Sequence, residues 1–335
     1  MKSNHDSVNQ TSGRNLAEEQ ISRKKLKSAE IPPEKILARA TTNLKKEKAD
    51  THNLEAINLK RKVVFLSRAM LFSSIPHSEV SDSFFVRDNG ICLITMQVKN
   101  GQMLPFGRLP RLILFWICTQ AVRCKNREIS IGRTITDFAK KLGLSVSGGV
   151  RGDVTRLRLQ LQRLFLTSFT ISSKKTNEVE FNDVRILDDG QWQSHGNLKY
   201  FSEKILLSEP FYEDCISHAI PLEFEVLRNL RSVFALDIYC WLTWRMSSLK
   251  KVTYIRYEFL NWQFGANYSS AGYRHILDFR KAFKSNLKIV MLHYPMAKVR
   301  IEKKGIRLWR SETHVHSIFS KSLVENSNCH NLAGS

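Results

Sequence analysis

Hydrophobic and polar residues repeat with a helical period between residues 147 and 165. One stripe, spaced by three and four residues, is apolar and consists of Val150, Val154, Leu157, Leu161 and Leu164. The neighbouring stripe is polar and consists of Arg151, Thr155, Arg158 and Gln162, with Arg156 and Arg163 flanking it. This spacing predicts an amphipathic helix after a Gly148-Gly149 turn. Such a helix suits two interpretations, an ordinary solvated basic face or a DNA recognition helix.

The segments around this helix predict a block of helices and strands. It consists of an apolar helix, a strand, a short helix, the basic helix and two further strands, over residues 112–123, 127–131, 134–142, 147–165, 170–172 and 178–187. Thr134 is a suitable N-cap for the short helix, and Gly143 ends it. A helix-turn-helix followed by a two-stranded hairpin is typical of a winged helix. Two strands around a turn at 87–90 precede the block.

A second block repeats this order about 122 residues further along the chain. Its helices are predicted over 234–246, 257–264 and 273–287, and its strands over 252–256, 289–292, 297–301 and 305–309. The connector between the blocks has strand character at 198–201 and 205–208, and Pro221 is expected to start a helix over 222–230. The helix over 273–287 again has an apolar stripe opposite a basic face. Two basic helices in the same position favour DNA recognition over a solvated face.

These patterns predict an α+β protein with two tandem winged-helix domains and a mobile basic N-terminal tail. The polar tail is expected over 1–58, because it contains few aromatic residues and many charged ones. The first winged-helix domain, with its N-terminal extension, is placed at 59–200 and the second at 201–315. Residues 316–335 form a C-terminal tail.

The charge balance favours a polyanionic partner. The 335 residues include 52 Lys and Arg against 31 Asp and Glu, which gives a net charge of +21. Cations spread along a whole chain are expected in proteins that bind DNA, RNA or anionic membranes. No apolar run reaches the length of a membrane span, and the N-terminus lacks a signal-peptide core, so we expect a cytoplasmic protein. The six cysteines form no C-x-x-C pair, so we expect reduced thiols and no zinc site. No other metal site and no cofactor are predicted.

The candidate DNA-binding residues are polar side chains of the two basic helices and the two hairpin tips. They are Arg151, Thr155, Arg156, Arg158, Gln162, Lys174, Lys175, Arg274, Arg280, Lys281, Lys284, Lys303 and Lys304. Because arginine bonds a guanine edge in a bidentate way, Arg151 and Arg158 are candidates for base readout, with Arg274 and Lys281 as their counterparts. The hairpin lysines are candidates for phosphate or minor-groove contact, and a solvated hairpin tip is the alternative.

No catalytic residues are predicted. The Gly-x-x-x-x-Gly-Lys-Ser/Thr phosphate loop is absent, so no nucleotide-driven activity is expected. His314-Val315-His316 resembles the His-hydrophobe-His metal motif of rolling-circle nicking enzymes. Those enzymes need a tyrosine nucleophile downstream of the motif, and the last tyrosine here is Tyr294. We therefore expect a protein that is not an enzyme, with a nicking enzyme as the alternative.

Several segments, taken in order, resemble the plasmid-encoded RepA replication initiators. They are LPFGRLPR at 104–111, WIC at 116–118, AVR at 121–123, SGG at 147–149, TRLR at 155–158, RLF at 163–165, ALDIYCWLTWRM at 235–246 and FGA at 264–266. The resemblance implies an initiator that binds sites in its plasmid's origin, helps open the duplex and recruits the host replication initiator and helicase machinery. Related initiators have tandem winged-helix domains and are not enzymes. Many form homodimers that repress their own gene, while monomers act at the origin.

We therefore expect a plasmid replication initiator that binds specific, repeated double-stranded DNA sites. One alternative is a rolling-circle nicking initiator. The other is a transcriptional repressor without a replication role, which would share the same DNA-binding chemistry.

Overall fold

The computed structural model describes residues 63–73, 75–98, 102–146, 149, 152–173, 180–188, 203–265 and 273–315. These residues all belong to one compact unit, which begins at residue 52. Several sequence predictions lie outside the described residues: the tail over 1–58, Arg151, Lys174, Lys175, the strand at 198–201 and the tail over 316–335. For Arg274 only the backbone, which is helical, is described.

The first half of the described chain combines a four-stranded sheet with the predicted helical block. The elements are β1 (Val63–Ser67), α1 (Arg68–Phe72), β2 (Phe84–Asp88), β3 (Cys92–Val98), α2 (Arg108–Cys124), β4 (Glu128–Ser130), α3 (Ile135–Lys141), α4 (Asp153–Leu166), β5 (Thr167–Ser173) and β6 (Glu180–Val184). Antiparallel pairing joins strands β2, β3, β5 and β6 in that order. Helix α2 is apolar on most sides and is correspondingly buried along most of its length.

Helices α3 and α4 form as the sequence predicts. Thr134 and Asp137 form a reciprocal capping box at the start of α3, with both hydrogen bonds at 3.1 Å. Gly143 ends this helix with a φ of 69°, a left-handed conformation that suits glycine. Helix α4 begins at Asp153, and Leu157, Leu161 and Leu164 of its apolar stripe are buried, which confirms the hydrophobic face.

The last six elements of the second half repeat the order of the last six elements of the first half. Its elements are β7 (Lys204–Leu206), α5 (Glu209–Ser217), β8 (Ala219–Glu223), α6 (Phe224–Asn229), α7 (Val233–Ser248), β9 (Thr253–Arg256), α8 (Tyr257–Phe264), α9 (Tyr273–His293), β10 (Val299–Ile301) and β11 (Gly305–Leu308). The three-stranded sheet has the order β10-β11-β9, all antiparallel. Helix α7, like α2, is buried along most of its length.

The two halves differ in the pairing of the strand that follows the long apolar helix, which is β4 after α2 and β9 after α7. In the second half β9 pairs with β11 of the terminal hairpin, from Thr253↔Leu308 to Arg256↔Gly305. In the first half β4 pairs with β7, and Leu207 next to β7 bridges to Leu187. Strand β7 therefore lies between β4 and the segment that follows β6.

Both ends of the described chain pack on the same core. Strand β1 pairs antiparallel with β8, from Val63↔Glu223 to Ser67↔Ala219. Val63 and Phe65 form a buried cluster with Val122 of α2 and with Val315. The β1–β8 pair therefore crosses the predicted boundary between 200 and 201, and the domain limits remain a prediction. The mixed helix and sheet composition confirms the α+β class.

One predicted strand and the start of one predicted helix are wrong. Residues 289–292 were expected to form a strand but belong to α9, because Phe283, Leu287 and Val290 continue the buried helical stripe. The helix over 222–230 was expected to start at Pro221. Instead Pro221 pairs with Phe65 within β8, and α6 begins at Phe224.

Candidate nucleic-acid interface

The exposed face of α4 contains the first group of candidate residues. Thr155, Arg156 and Arg158 are exposed, and Gln162 is half-buried. The Thr155 hydroxyl donates to the Gly149 carbonyl at 2.8 Å. Arg156 pairs with Asp153, which also accepts a hydrogen bond from Ser145. Thr155 and Arg156 therefore stabilise the turn before α4 in addition to facing solvent.

The arginines of α4 fall into different environments. Arg163 is buried, with Nη1 2.8 Å from Glu79 Oε1 and its guanidinium 5.4 Å from the Phe106 ring centroid. Arg158 lies on the opposite side of the helix in solvent, and no hydrogen bond or ion pair joins it to another described residue. Arg158 is therefore the α4 arginine that is most available to a ligand.

The face of α9 opposite its core stripe contains the second group. Phe279, Phe283 and Leu287 are fully buried, while Lys281 is exposed and Arg280 and Lys284 are half-buried. The Arg280 guanidinium and the Lys284 ammonium lie 5.2 and 5.4 Å from the centroid of the Tyr257 ring. Partial burial and the nearby cations Arg280 and Lys288 lower the pKa of Lys284. The positive charges on this face are thus crowded together.

The turn between β10 and β11 contains the third group. Lys303 and Lys304 are both exposed at its tip. The Tyr257 N–H donates to the Lys304 carbonyl at 3.1 Å, and the Tyr257 hydroxyl donates to the Glu302 carbonyl at 3.3 Å. The hairpin tip is therefore attached to the start of α8, beside the cations of α9.

The solvent face of the β10-β11-β9 sheet adds cations that the sequence interpretation missed. Arg300 lies opposite Arg307, which lies opposite Tyr254. The Arg307 guanidinium is 5.4 Å from the Tyr254 ring centroid and 2.7 Å from Glu302. The sequence did contain a signal for Arg300, because it alternates with the apolar residues Val299 and Ile301. Alternate residues of a strand point to opposite faces of the sheet, so Arg300 is expected on the solvent face.

Arginines from the first half fix its position against the second half. Arg111 of α2 donates two hydrogen bonds to the Asp237 carboxylate of α7, at 2.6 and 2.7 Å, and His77 lies 2.8 Å from the same carboxylate. Arg108 donates to carbonyls at the end of α6, and Arg87 to the Trp262 carbonyl near the end of α8. These contacts join α2, β2 and the segment around His77 to α6, α7 and α8.

The first histidine of the candidate metal motif, His314, contacts other protein groups through both ring nitrogens. His314 Nδ1 lies 2.9 Å from the Tyr239 hydroxyl, and Nε2 lies 3.1 Å from Glu223. Burial lowers the pKa of His314, although Glu223 opposes that shift. His316 lies outside the described residues. Among the residues that are described, no group of three or more His, Cys, Asp or Glu side chains could hold a metal ion.

No disulfide joins the cysteines of the described ranges to one another. Cys92, Cys118, Cys215 and Cys240 are buried, and Cys124 is partly exposed. In the same ranges, no helix has both the length and the apolar character needed to cross a membrane.

Comparison with known protein families identifies the central part of the chain. The model of the plasmid encoded RepA protein family matches residues 104–263. This stretch, slightly less than half of the chain, is similar to that family. This match confirms the resemblance and supports a replication-initiator role. The RepA-matched segment includes α4 and ends within α8, before the cations of α9 and of the β10–β11 turn.

Other comparisons add little to the RepA match. The crystal structure of the RctB domains 2-3 is similar to this chain, with 13% sequence identity and a TM-score of 0.41. The aligned region covers 71% of this chain and 94% of the RctB chain. That similarity is too distant to assign a function or a domain arrangement. The comparison with curated proteins gave no match.

Proposed function

We propose that this protein is a plasmid replication initiator that binds specific duplex DNA sites at its plasmid's origin through two winged-helix units. The RepA family match supports the role. One observation supports this DNA-binding mode most directly. Helices α4 and α9 occupy the same position in the two repeated series of elements, and each has cationic side chains on its solvent-exposed face. Each helix would enter a major groove, and each hairpin would contact the adjacent backbone.

The strand topology supports a winged-helix interpretation more fully for the second unit. There α7, β9, α8, α9, β10 and β11 occur in order, and β9 closes onto the terminal hairpin. In the first unit the order is the same, and β7 is inserted beside β4. We propose that this insertion is a variation on the winged helix and leaves α4 free to bind.

The readout and affinity roles are divided between side chains. Arg158 is the proposed base reader of the first unit, because it is exposed and joined to no described residue. Lys281 is its proposed counterpart on α9. Lys303 and Lys304 would contact phosphates, which adds affinity without sequence preference.

Salt dependence tests the DNA-binding mode. If about six to ten phosphates are contacted, the affinity should fall roughly 10³- to 10⁵-fold between about 50 and 200 mM salt. The measurement is a gel-shift titration with duplex DNA from beside the protein's own gene. A flat salt response would contradict the proposal.

The replication role needs a test that a repressor would fail. The gene and its adjacent DNA should sustain a replicon that lacks its own initiator in a bacterial host. Host replication proteins are the proposed partners at the origin. A second copy of the chain is the proposed partner in a dimer that represses the gene, and the bacterial cytoplasm is the proposed location. Failure of the replicon together with tight, specific DNA binding would favour the repressor.

We also propose that the protein acts by binding and not by catalysis. The engagement of both His314 ring nitrogens within the protein supports this, because a metal would have to displace Tyr239 or Glu223. Supercoiled origin plasmid should therefore remain intact with the protein and Mg²⁺ or Mn²⁺. A nicked product with covalently attached protein would establish the nicking alternative.

A further inference from the structure

Tyr257 occupies an unusual position between two separate parts of the candidate interface. It is the first residue of α8, and its side chain is 2% exposed. Its ring lies beneath Arg280 and Lys284 of α9, while its N–H and hydroxyl both bond to the β10–β11 turn. One buried residue thus contacts both the helix cations and the hairpin tip.

The ring counteracts an unfavourable arrangement of charge on α9. Arg280 and Lys284 are separated by four residues, so their like charges lie side by side and repel each other. The face of an aromatic ring attracts cations electrostatically and orients them. Since Tyr257 also packs edge-on against Phe283, with ring centroids 6.3 Å apart, the ring itself is held in place by the core.

The N–H and the hydroxyl of Tyr257 fix the hairpin in the same way. They hold the carbonyls of Glu302 and Lys304, the residues on either side of Lys303. The turn also approaches β9 closely, because a Cβ atom at Gly305 would lie 2.2 Å from the Ile255 carbonyl oxygen. The turn therefore has little freedom to move relative to α8.

We infer that Tyr257 is a positioning residue that orients Arg280 and Lys284 and seats the Lys303-Lys304 turn, so that helix and hairpin engage one DNA duplex together. This inference rests on the proposed function. Tyr257 itself is buried and does not contact the DNA. Its effect is to present preformed cations, which reduces the ordering that binding requires.

The test compares Tyr257→Leu, which removes the ring, with Tyr257→Phe, which retains it. Fluorescence anisotropy with a labelled duplex of random sequence, about 20 base pairs long, gives the affinity and its salt dependence. Tyr257→Leu should bind roughly 5- to 30-fold more weakly, because Arg280 and Lys284 lose the ring that orients them and must be ordered when the DNA binds. Tyr257→Phe should stay within about 3-fold of wild type, because the cations keep their ring and the turn loses only the 3.3 Å hydroxyl contact while it keeps the N–H contact to Lys304.

A matched control separates positioning from simple loss of a buried ring. Tyr294 is also fully buried in the second half, and its hydroxyl donates to the Glu312 carbonyl at 2.7 Å. Tyr294→Leu should leave the affinity of the folded protein within about 3-fold of wild type, since no cation among the described side chains of α9 lies on that ring. Circular dichroism establishes that each variant is folded. Equal losses for the two leucine variants, or wild-type affinity for Tyr257→Leu, would overturn the inference.

A second variant covers the case in which Tyr257→Leu does not fold. Replacing Arg280 and Lys284 together by Ala leaves the core intact and should reduce the salt slope by about two phosphate contacts. An unchanged slope would mean that Tyr257 has no contacts to position and would overturn the inference. If wild-type protein shows no salt-dependent binding at all, the proposed function fails instead.

Discussion

Removal of the Asp237 carboxylate should weaken the attachment between the two halves. Asp237 accepts two hydrogen bonds from Arg111 and one contact from His77. Arg111 also donates to the Gly107 and Ile75 carbonyls, both at 2.7 Å, and its side chain is only 7% exposed. In Asp237→Ala the guanidinium stays buried without its counter-charge.

The size of the effect follows from that burial. Breaking a buried ion pair by removing one partner costs roughly 3–5 kcal/mol, because the remaining charge is desolvated and uncompensated. Since 26% of the Asp237 side chain is exposed, water offsets part of the loss. We expect Asp237→Ala to lower the free energy of unfolding by about 3 kcal/mol, the lower end of that range.

Urea unfolding followed by circular dichroism measures this loss as a lower midpoint at an unchanged m-value. Asp188→Ala is the matched control, because the Arg127–Asp188 side chains are 31% and 44% exposed. Exposed pairs contribute about 0–1 kcal/mol, so this control should stay close to wild type. Equal midpoints for the two variants would refute the reasoning, since burial would then not decide the strength of the pair.

Three further predictions follow from the described contacts. Arg158→Ala should cost ~1–3 kcal/mol of binding free energy on the specific site and little on random DNA, whereas Lys303→Ala should weaken binding to both DNAs alike. Equal losses of affinity for Arg158→Ala on the two DNAs would contradict base readout by Arg158. Burial alone would raise the pKa of Asp237, but Arg111 and His77 hold it well below its ordinary value. The ionised Asp237 carboxylate therefore stabilises the fold above about pH 4, and this stabilisation is lost as the pH falls further. Between about pH 6 and 2 the urea midpoint of Asp237→Asn should fall less than that of wild type. If the two midpoints fall in parallel with pH, Asp237 is not the group responsible. Gly305→Ala should lower the free energy of unfolding by ~1–3 kcal/mol in the same urea assay, because its Cβ would overlap the Ile255 carbonyl oxygen; an unchanged midpoint would argue against the tight turn.

Periodicity predicted the elements that are amphipathic over their whole length. Leu157, Leu161 and Leu164 fixed the inner face of α4, and Thr134 with Gly143 fixed the ends of α3. The end of α9 was missed because Ile289 and Val290 are β-branched and favour strands locally. Their burial against the rest of the core keeps this segment helical.

Contacts between distant parts of the chain could not be predicted from periodicity. The sequence predicts a strand where β7 lies, but it does not predict that β7 pairs with β4. That pairing joins residues about 75 positions apart, which hydrophobic periodicity does not reveal. Arg158 and Arg163 have the same chemistry and lie on one helix. Only the packing of Glu79 and Phe106 against Arg163 separates the structural arginine from the available one.

Nuclease footprinting of the DNA that flanks the protein's own gene tests the central claim most directly. The account predicts discrete, repeated protected sites at a salt concentration where random duplex is no longer bound, and loss of those sites in Arg158→Ala. Uniform protection, or none, under these conditions would contradict a sequence-specific origin-binding initiator.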